Sequence, residues 1–306
     1  MILKGQNFRI LTYDSYDEKF KCVGMATNCT VTLTNNTEDA STKDDVGMAA
    51  KPTMTSQGWS VSVESLDVSD AAAMLTAIKS LTPFTLMWDE TSTTDNQTRS
   101  KATFARKGSA FLNDVVFQFD DRTNATKQLQ FTGSGALETV STPTYEAVAA
   151  SAFTKGQFVR LFLSSDNTTA PAKVIAAAKT MQLHGSATTE ESSTKDTTGD
   201  DLEYEVTGLS YDISGSGLVL STDDALNTGA NSANDVLTML GDTLLYWKIC
   251  LMEGTNNRTV VAEIASGQAK LTQWRAQAQN KQNVTYNYQL TGFGALVAGS
   301  DVAGTD

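Results

Sequence analysis

The residues that could perform acid–base or nucleophilic chemistry are few in this chain. It has one histidine, His184, and three cysteines, Cys22, Cys29 and Cys250. A single histidine excludes most catalytic triads and all histidine-rich metal sites. The odd number of cysteines and the lack of a C-x-x-C motif argue against a disulfide framework and a zinc ribbon. We therefore predict that the three thiols are reduced and act as small, buried hydrophobic groups.

Pairs of adjacent carboxylates, such as Asp44/Asp45, Asp120/Asp121 and Asp200/Asp201, remain as candidates for acid–base chemistry. Such chemistry needs two carboxyl groups at a defined separation, whereas neighbours in a polar loop are usually solvated. Gly133 and Gly292 each begin a G-x-G motif that follows a strand pattern and opens no helix. That context argues against a phosphate-binding loop and favours a β-bulge or a tight strand end. We predict that the protein is not an enzyme and that it has no catalytic residue, metal site or cofactor.

The net charge and the short apolar stretches argue against two further classes, nucleic-acid-binding proteins and membrane proteins. The 306 residues include 23 Lys and Arg against 35 Asp and Glu, a formal net charge of −12. An acidic surface repels phosphate backbones, which argues against a protein that grips nucleic acid. The N-terminus lacks the apolar region of a secretory signal, and no apolar stretch is long enough to span a bilayer. We expect a soluble protein made in the cytoplasm, without membrane insertion.

The chain contains an internal repeat. Lys4–Arg9 resembles Lys155–Arg160, and Thr37–Gly47 shares seven of its eleven positions with Thr189–Gly199 at a shift of 152 residues. The strand end Thr132–Leu137 recurs 159 residues later. Collinear matches at a nearly constant shift predict a tandem duplication of one domain, and each copy is long enough to hold a hydrophobic core of its own.

The repeat divides the chain into four predicted segments. The first copy is expected at residues 1–140, a linker at 141–152, the second copy at 153–298 and a C-terminal tail at 299–306. The linker is polar and includes Pro143, one of only four prolines. The extra residues of the second copy fall within 221–233, whose Asp, Asn, Ser and Gly content predicts a surface loop.

Hydrophobic periodicity predicts mainly β structure in both copies. Ala125–Thr132 and Val284–Thr291 alternate apolar side chains with Thr, Gln and Asn, which is typical of half-buried strands. Further strands are predicted at 28–34, 59–63, 84–88 and 110–119, and one helix per copy at 71–81 and 234–241. The polar stretch Thr37–Gln57, matched by Thr189–Thr207, predicts a long protruding hairpin. Each copy is thus expected to be an antiparallel β-barrel or sandwich with one packed α-helix and one long hairpin.

This order of elements resembles the major tail tube protein of long-tailed bacteriophages. Five features carry the resemblance: the strand ending near Thr34, the segment Ser41–Asp44, the strand Gly58–Val63, the helix Ala71–Leu81 and the closing strand Leu129–Gly135. The second copy has the same order, with Tyr211 in place of Trp59 and a longer loop before its helix. Similar tubes occur in type VI secretion and contractile injection systems.

The resemblance implies a structural virion protein. Tail tube domains form rings of six whose sheets join into one inner β-barrel, and the rings stack into a hollow conduit for DNA ejection into the host. A duplicated chain implies three chains per ring with pseudo-sixfold symmetry. The implied partners are further copies of the chain, the tape measure protein, the tail terminator and the baseplate or distal tail proteins. The implied location is the virion tail, after synthesis in the bacterial host cytoplasm.

Two sets of residues are candidates for roles in such a tube. The ring-stacking candidates are the recurring hairpin residues Ser41, Thr42, Lys43, Asp44, Ser193, Thr194, Lys195 and Asp196. The candidates for the lumen or for contacts between domains are Thr126, Gln128, Gln130, Thr285, Asn287 and Gln289. Because DNA is negatively charged, an acidic wall would let it slide through without sequence-specific binding.

Alternative interpretations remain open at this point. One is a tandem β-domain module that binds carbohydrate or another surface, as in a virion decoration or an adhesin. Another is the inner tube of a contractile injection system. For the strand faces, the alternative is an ordinary solvent-exposed surface.

Overall fold

The computed structural model describes residues 5, 8–14, 19–44, 50–80, 83–91, 102–140, 153–165, 171–194, 201–220, 230–253 and 259–299. The described elements of the first half are β1 Phe8–Asp14, β2 Lys19–Cys22, β3 Ala26–Asp39, β4 Pro52–Ser65, α1 Ala71–Ser80, β5 Phe84–Thr91, β6 Ala102–Asp120 and β7 Thr126–Thr139. Those of the second half are β8 Val159–Ser164, β9 Val174–Ile175, β10 Ala178–Glu191, β11 Tyr204–Leu218, β12 Ala230–Asn231, α2 Ala233–Thr238, β13 Leu245–Met252, β14 Val260–Gln277 and β15 Thr285–Ala298. The predicted mainly β fold, with a packed helix and a long hairpin in each half, is confirmed.

The two halves have the same strand order. The first runs β2-β1-β5-β6-β7-β4-β3, and the second runs β9-β8-β13-β14-β15-β11-β10, with neighbouring strands antiparallel in both. In the second half the short strand β12 is added in parallel beyond β9. The longer connection before α2 thus supplies one extra edge strand.

The register of the pairs also repeats. Ser60 lies opposite Thr132 in the first half, and Asp212 lies opposite Thr291 in the second, at shifts of 152 and 159 residues. The bulge after Leu112 on β6 recurs after Leu271 on β14. A bulge is a local insertion that changes the twist of a strand, so its recurrence at matching positions means that the two sheets bend in the same way.

One seam joins the two halves. Residues 114–120 of β6 pair with residues 180–186 of β10. The described strands therefore form a single 15-stranded sheet that is not closed, and the expectation of two separate barrels or sandwiches needs correction. The strand β6 is 19 residues long, which lets its first part pair with β5 and its last part with β10 along the same edge.

The hydrophobic core is continuous across this seam. Buried residues of both halves, from Ile10 to Leu296, belong to one cluster. The helix α1 of the first half contacts β6 and also β10, β14 and β15 of the second half. It buries Ala71, Leu75 and Ile78, which share one helical face. The expectation that each copy holds a separate core is wrong, because this helix spans the seam and packs on strands of both halves.

Two aromatic residues occupy matching sites against glycines. Trp59 lies over Gly108 and Gly133, and a Cβ atom on Gly133 would come within 2.1 Å of the Trp59 ring. In the second half Tyr211 takes this place, and a Cβ atom on Gly292 would lie 2.6 Å from the Tyr211 backbone oxygen. The G-x-G motifs thus accommodate an aromatic ring at their first glycine. Their second glycines have φ of 76° and 71°, a left-handed conformation that glycine tolerates best, at an irregular point of the strand.

The polar contact between the sheet and α1 is not repeated in the second half. Lys127, which is only 1% exposed, forms an ion pair with Asp70 just before α1. The matching residue of the second half is Tyr286, whose hydroxyl donates to the Ala176 carbonyl at 3.3 Å. The helix α2 begins with a capping box, in which Ser232 Oγ accepts from the Asp235 amide at 3.2 Å and Asp235 Oδ2 accepts from the Ser232 amide at 2.9 Å.

The predicted segment boundaries fall partly outside the described residues. The described strands of the two halves lie within 1–140 and 153–298, whereas the linker at 141–152 and residues 300–306 of the tail are not described. Of the loop predicted at 221–233, residues 221–229 lie outside the described residues, and the predicted end is wrong, since Ala230 and Asn231 form β12 and Ala233 begins α2. Among the described residues, no helix has the length and apolar character that crossing a membrane requires.

Candidate functional site

A polar face extends across eight consecutive strands of the sheet. Their order is β3-β4-β7-β6-β10-β11-β15-β14, with the in-chain seam in the middle. Alternate residues of each strand point to opposite faces, so one face carries the core and the other is polar. The polar face is a single surface shared by the two halves.

The structure brings both sets of strand candidates onto this face. Gln128 and Gln130 are exposed, while their neighbours Leu129 and Phe131 are buried in the core. Asn287 and Gln289 likewise alternate with the buried Tyr288 and Leu290, with Gln289 less exposed than Asn287. Thr126 and Thr285 are half-buried at the ends of the two rows. The two rows lie on one surface, separated by β6, β10 and β11.

Most other residues of the face are also uncharged and polar. Hydroxyl and amide side chains predominate, and they include Thr30, Thr32, Ser60, Ser62, Gln118, Thr180, Gln182, Ser186, Ser214 and Gln273. Several join neighbouring strands. Thr180 and Ser216 share a hydrogen bond of 2.7 Å, and so do Ser186 and Ser210 at 2.8 Å. The surface therefore offers many weak hydrogen-bonding groups and few fixed charges.

The charged cluster on this face lies at the seam. His184 on β10 stands between two carboxylates, with its Nε2 2.8 Å from Asp114 Oδ2 on β6 and its Nδ1 2.9 Å from Asp212 Oδ1 on β11. Burial lowers the pKa of His184, but the hydrogen bonds and charges of Asp114 and Asp212 outweigh it, so the pKa lies above its ordinary value. A protonated imidazole can donate to both carboxylates at once, which ties three strands of both halves together.

The sequence predicted no role for His184, because Asp114 and Asp212 are 70 and 28 residues away from it. The geometry does not favour a catalytic assignment either. Both ring nitrogens are already bonded to carboxylates, which leaves neither free to take a proton from a substrate. Within the described part of the chain, no group of His, Cys, Asp and Glu is arranged to hold a metal ion.

Two of the hairpin candidates, Ser41 and Ser193, form hydrogen bonds across their own hairpins. Ser41 Oγ accepts from the Lys51 amide at 3.1 Å, and the matching Ser193 Oγ accepts from the Glu203 amide at 2.9 Å. These bonds close the two hairpins just beyond the last strand pairs. Thr42, Lys43 and Asp44 are exposed at the first turn. Thr194 is exposed in the second hairpin, and Lys195 and Asp196 lie outside the described residues.

The carboxylate pairs and the thiols show no shared constellation where they are described. Asp120 accepts from Gln118 Nε2 at 2.7 Å, while Asp121 lies 3.5 Å from the exposed Arg122. Asp45 and Asp200 lie outside the described residues. The three cysteines form no disulfide among the described residues, and the predicted burial holds for Cys250, whereas Cys22 and Cys29 are half-buried. Burial raises the pKa of the Cys250 thiol to about 11, which keeps it protonated and unreactive near neutral pH.

Comparison with known proteins identifies the class of this fold. A family model described as phage tail tube protein matches residues 155–298. The second half of the chain is therefore similar to phage tail tube proteins. The matched range contains all strands from β8 to β15, whose order and register recur in the first half, and the chain is a structural tail tube protein of the virion tail.

Two solved structures of tails resemble parts of the tail tube protein. One is titled "Virion of native gene transfer agent (GTA) particle" and shares 16% identity, covering 47% of this chain and 98% of that chain with a TM-score of 0.35. The other, "Tail of empty GTA particle computed with helical refinement, C6 symmetry", shares 18% identity, covering 47% of this chain and 96% of that chain with a TM-score of 0.33. No curated protein matches the sequence significantly.

Proposed function

We propose that three copies of this chain form one ring of a tail tube, that the rings stack into a hollow conduit, and that the polar face lines the lumen through which DNA is ejected. The observation that carries the proposal is the run of eight consecutive strands within the sheet, in which two tube-type halves already lie side by side in one chain. We further propose that the repeated order and register arose by tandem duplication of a single tube domain.

The dimensions of the sheet support a conduit for DNA. Strands lie about 4.8 Å apart and tilt by about 40° in barrels. Three eight-stranded sheets joined end to end would then enclose a barrel with a backbone diameter of about 48 Å. Side chains reach inwards by about 5 Å on each side, which leaves a channel wider than a DNA duplex of about 20 Å.

The chemistry of the polar face supports the same role. Its charged residues include Glu64, Asp114, Asp120 and Asp212, against Lys270, Arg275 and the paired His184. Binding of DNA by proteins depends mainly on Lys and Arg contacts to phosphates. A wall of hydroxyl, amide and carboxylate groups lets DNA pass without holding it.

The ring-stacking role of Ser41–Asp44 and Ser193–Asp196 stays part of the proposal, as do the tape measure protein, the tail terminator and the baseplate or distal tail proteins as partners. A tube wall requires no catalysis, and we propose none for this chain. The carbohydrate-binding alternative lacks a supporting observation, because the polar face has few exposed aromatic side chains on which a sugar ring could stack.

Electron microscopy and native mass spectrometry of the purified protein test the proposal. We expect rings or tubes with sixfold-like cross-sections, and a closed species of about three times the chain mass of 32.8 kDa. A helical reconstruction should place Gln130 and Gln289 on the channel wall. A protein that stays monomeric at high concentration, or a ring with another number of chains, would refute the three-chain ring.

A further inference from the structure

The in-chain seam gives a template for the contact between chains. It pairs β6, the sixth strand of the first half, with β10, the third strand of the second half. The matching strands of the opposite halves are β14, which corresponds to β6, and β3, which corresponds to β10. If the sheet continues from chain to chain as it does within the chain, β14 of one chain meets β3 of the next.

Both of these strands have open edges among the described residues. The strand β3 pairs only with β4, and nearly all of its residues are exposed. The strand β14 pairs with β13 only up to Ala269, and Leu271 forms an isolated bridge with Leu240, so residues 272–277 have β15 on one side and no described strand on the other. Open edges with unpaired backbone groups favour the addition of another strand.

We infer that β3 of one chain adds antiparallel to the free edge of β14 in a second copy, with Thr32 opposite Arg275. The register follows from the seam, where His184 lies opposite Val116. A shift of −152 converts His184 to Thr32, and a shift of +159 converts Val116 to Arg275, the shifts that relate the paired strands elsewhere. The inference rests on the proposed ring and names the strands and the register that close it.

The side-chain pattern agrees with this register. It places Leu33 opposite Trp274 and Val31 opposite Ala276 on the core side, where Leu33 is 64% exposed in the single chain. On the polar face it places Thr30 opposite Gln277 and Thr34 opposite Gln273. A slip of one residue would set Leu33 against Arg275 and reverse the match at every position.

The hairpins supply a second and separate contact. The arm that leads into β11 lies on the first half of the same chain, where the Leu202 amide donates to the Gln57 carbonyl at 3.0 Å and the Gly135 amide donates to the Leu202 carbonyl at 2.8 Å. The Tyr204 amide donates to Ser134 Oγ at 3.0 Å. The strand β11 thus begins where its hairpin is anchored across the seam.

The matching contact between chains would use residues that are now exposed. The counterpart of Leu202 is Ala50, and the counterparts of Gln57 and Ser134 are Leu209 and Phe293. Leu209 is 40% exposed and Phe293 is 51% exposed. The arm of the neighbour around Ala50 would therefore cover both side chains, and the chain that supplies this arm is the same chain that supplies β3.

Disulfide trapping tests the register. The double variant Thr32→Cys with Arg275→Cys should form dimers and trimers under mild oxidation, and the ladder should stop at the trimer because the ring closes. The control is Thr34→Cys with Gln277→Cys, which has the same strands and face but is displaced by four residues, or about 13 Å. The parent chain with its three native cysteines shows the background.

The outcomes separate this inference from the proposed function. Rings in the micrographs together with cross-linking of the control pair, or of neither pair, would overturn the register while the ring stands. Absence of rings for the parent chain would refute the proposed function itself. Cross-linking of the Thr32/Arg275 pair that stops at the trimer supports both.

Two surface variants test the contacts without cross-linking. Leu33→Asp and Phe293→Ser should each raise the concentration for half-maximal trimer formation at least tenfold and leave the circular dichroism spectrum and the unfolding midpoint of the monomer unchanged. The control Val261→Ser removes a side chain of similar exposure, 47%, outside both contacts. Normal trimer formation by Leu33→Asp would contradict the strand contact.

Discussion

The replacement Gly133→Ala tests how the aromatic site of the first half is built. The added Cβ would lie 2.1 Å from Trp59 Cδ2 and Cε2, whereas ordinary contact begins near 3.4 Å. The ring must therefore move by more than 1 Å. It cannot do so easily, because the neighbouring Gly108 is also close, where a Cβ would lie 2.5 Å from the ring, and the Trp88 ring centroid is 5.8 Å from that of Trp59.

The expected cost follows from this crowding. Overpacking of a core costs about 1–3 kcal/mol, and a rigid indole ring enclosed by glycines belongs at the top of that range, so we expect a loss of about 3 kcal/mol in the free energy of unfolding. Moving the ring also strains the hydrogen bond of 3.1 Å that Trp59 Nε1 donates to the Gly135 carbonyl. The measurement is the urea midpoint and slope of the purified chain.

A double-mutant cycle with Trp59→Val shows whether the ring is the cause. Once the ring is absent, Gly133→Ala should cost less than about 1 kcal/mol, so the two changes should be non-additive by about 2 kcal/mol. The control is Gly208→Ala, whose Cβ would meet only Thr188 atoms at 3.7 and 3.8 Å. Additive effects of Gly133→Ala and Trp59→Val, within error, would refute the steric explanation.

Three further predictions concern the seam, the helix anchor and the polar face. Because the pKa of His184 is raised in the folded chain, the stabilisation by its contacts with Asp114 and Asp212 should be complete below about pH 6.5 and decline as the pH rises through the folded pKa. Urea midpoints measured from pH 6 to 9 should therefore fall more for the parent chain than for His184→Gln, and parallel curves would contradict this stabilisation. Asp70→Ala leaves the buried charge of Lys127 unpaired and should lower the free energy of unfolding in urea by about 3 kcal/mol. Adding Lys127→Met should recover most of this loss, and no recovery would refute the stabilising role of the ion pair. Tubes of Gln130→Lys with Gln289→Lys should retain short DNA duplexes in sedimentation at low salt, unlike the control Asn234→Lys with Thr238→Lys on α2, and equal retention by both would argue against a luminal face.

Much of the local structure could be predicted from the sequence, since period-two alternation and helix capping are local properties. The strand at Val284–Thr291 and the helix that begins at Ala71 are found where the pattern predicted them. The G-x-G motifs at Gly133 and Gly292 do adjoin a strand irregularity, as one of the two expectations had it, but they lie within β7 and β15 and do not end these strands. The aromatic rings that require these glycines come from Trp59 and Tyr211, residues more than 70 positions away, so no local pattern could reveal them.

The strand candidates illustrate the boundary between pattern and tertiary structure. Alternation alone predicted that Gln130 and Gln289 belong to polar faces, because side chains of a strand point to alternate sides. The two faces form one surface because β6 pairs with β10. The similarity of the two halves does not show which of their strands pair with each other. The recurring serines Ser41 and Ser193 each accept a hydrogen bond from an amide across their own hairpin, that of Lys51 or Glu203, a contact that the sequence pattern does not show.

The sequence by itself determined the repeat, the β class and the polar character of the candidate wall, since these depend on composition and on spacing within short segments. Only the tertiary structure decided that the halves share one sheet and one core. That outcome depends on a 19-residue strand with room for two partners on one edge, a helix that packs across the seam, and a histidine held by carboxylates from two other strands. Each of these joins residues far apart in the chain, and their cooperation is a property of packing.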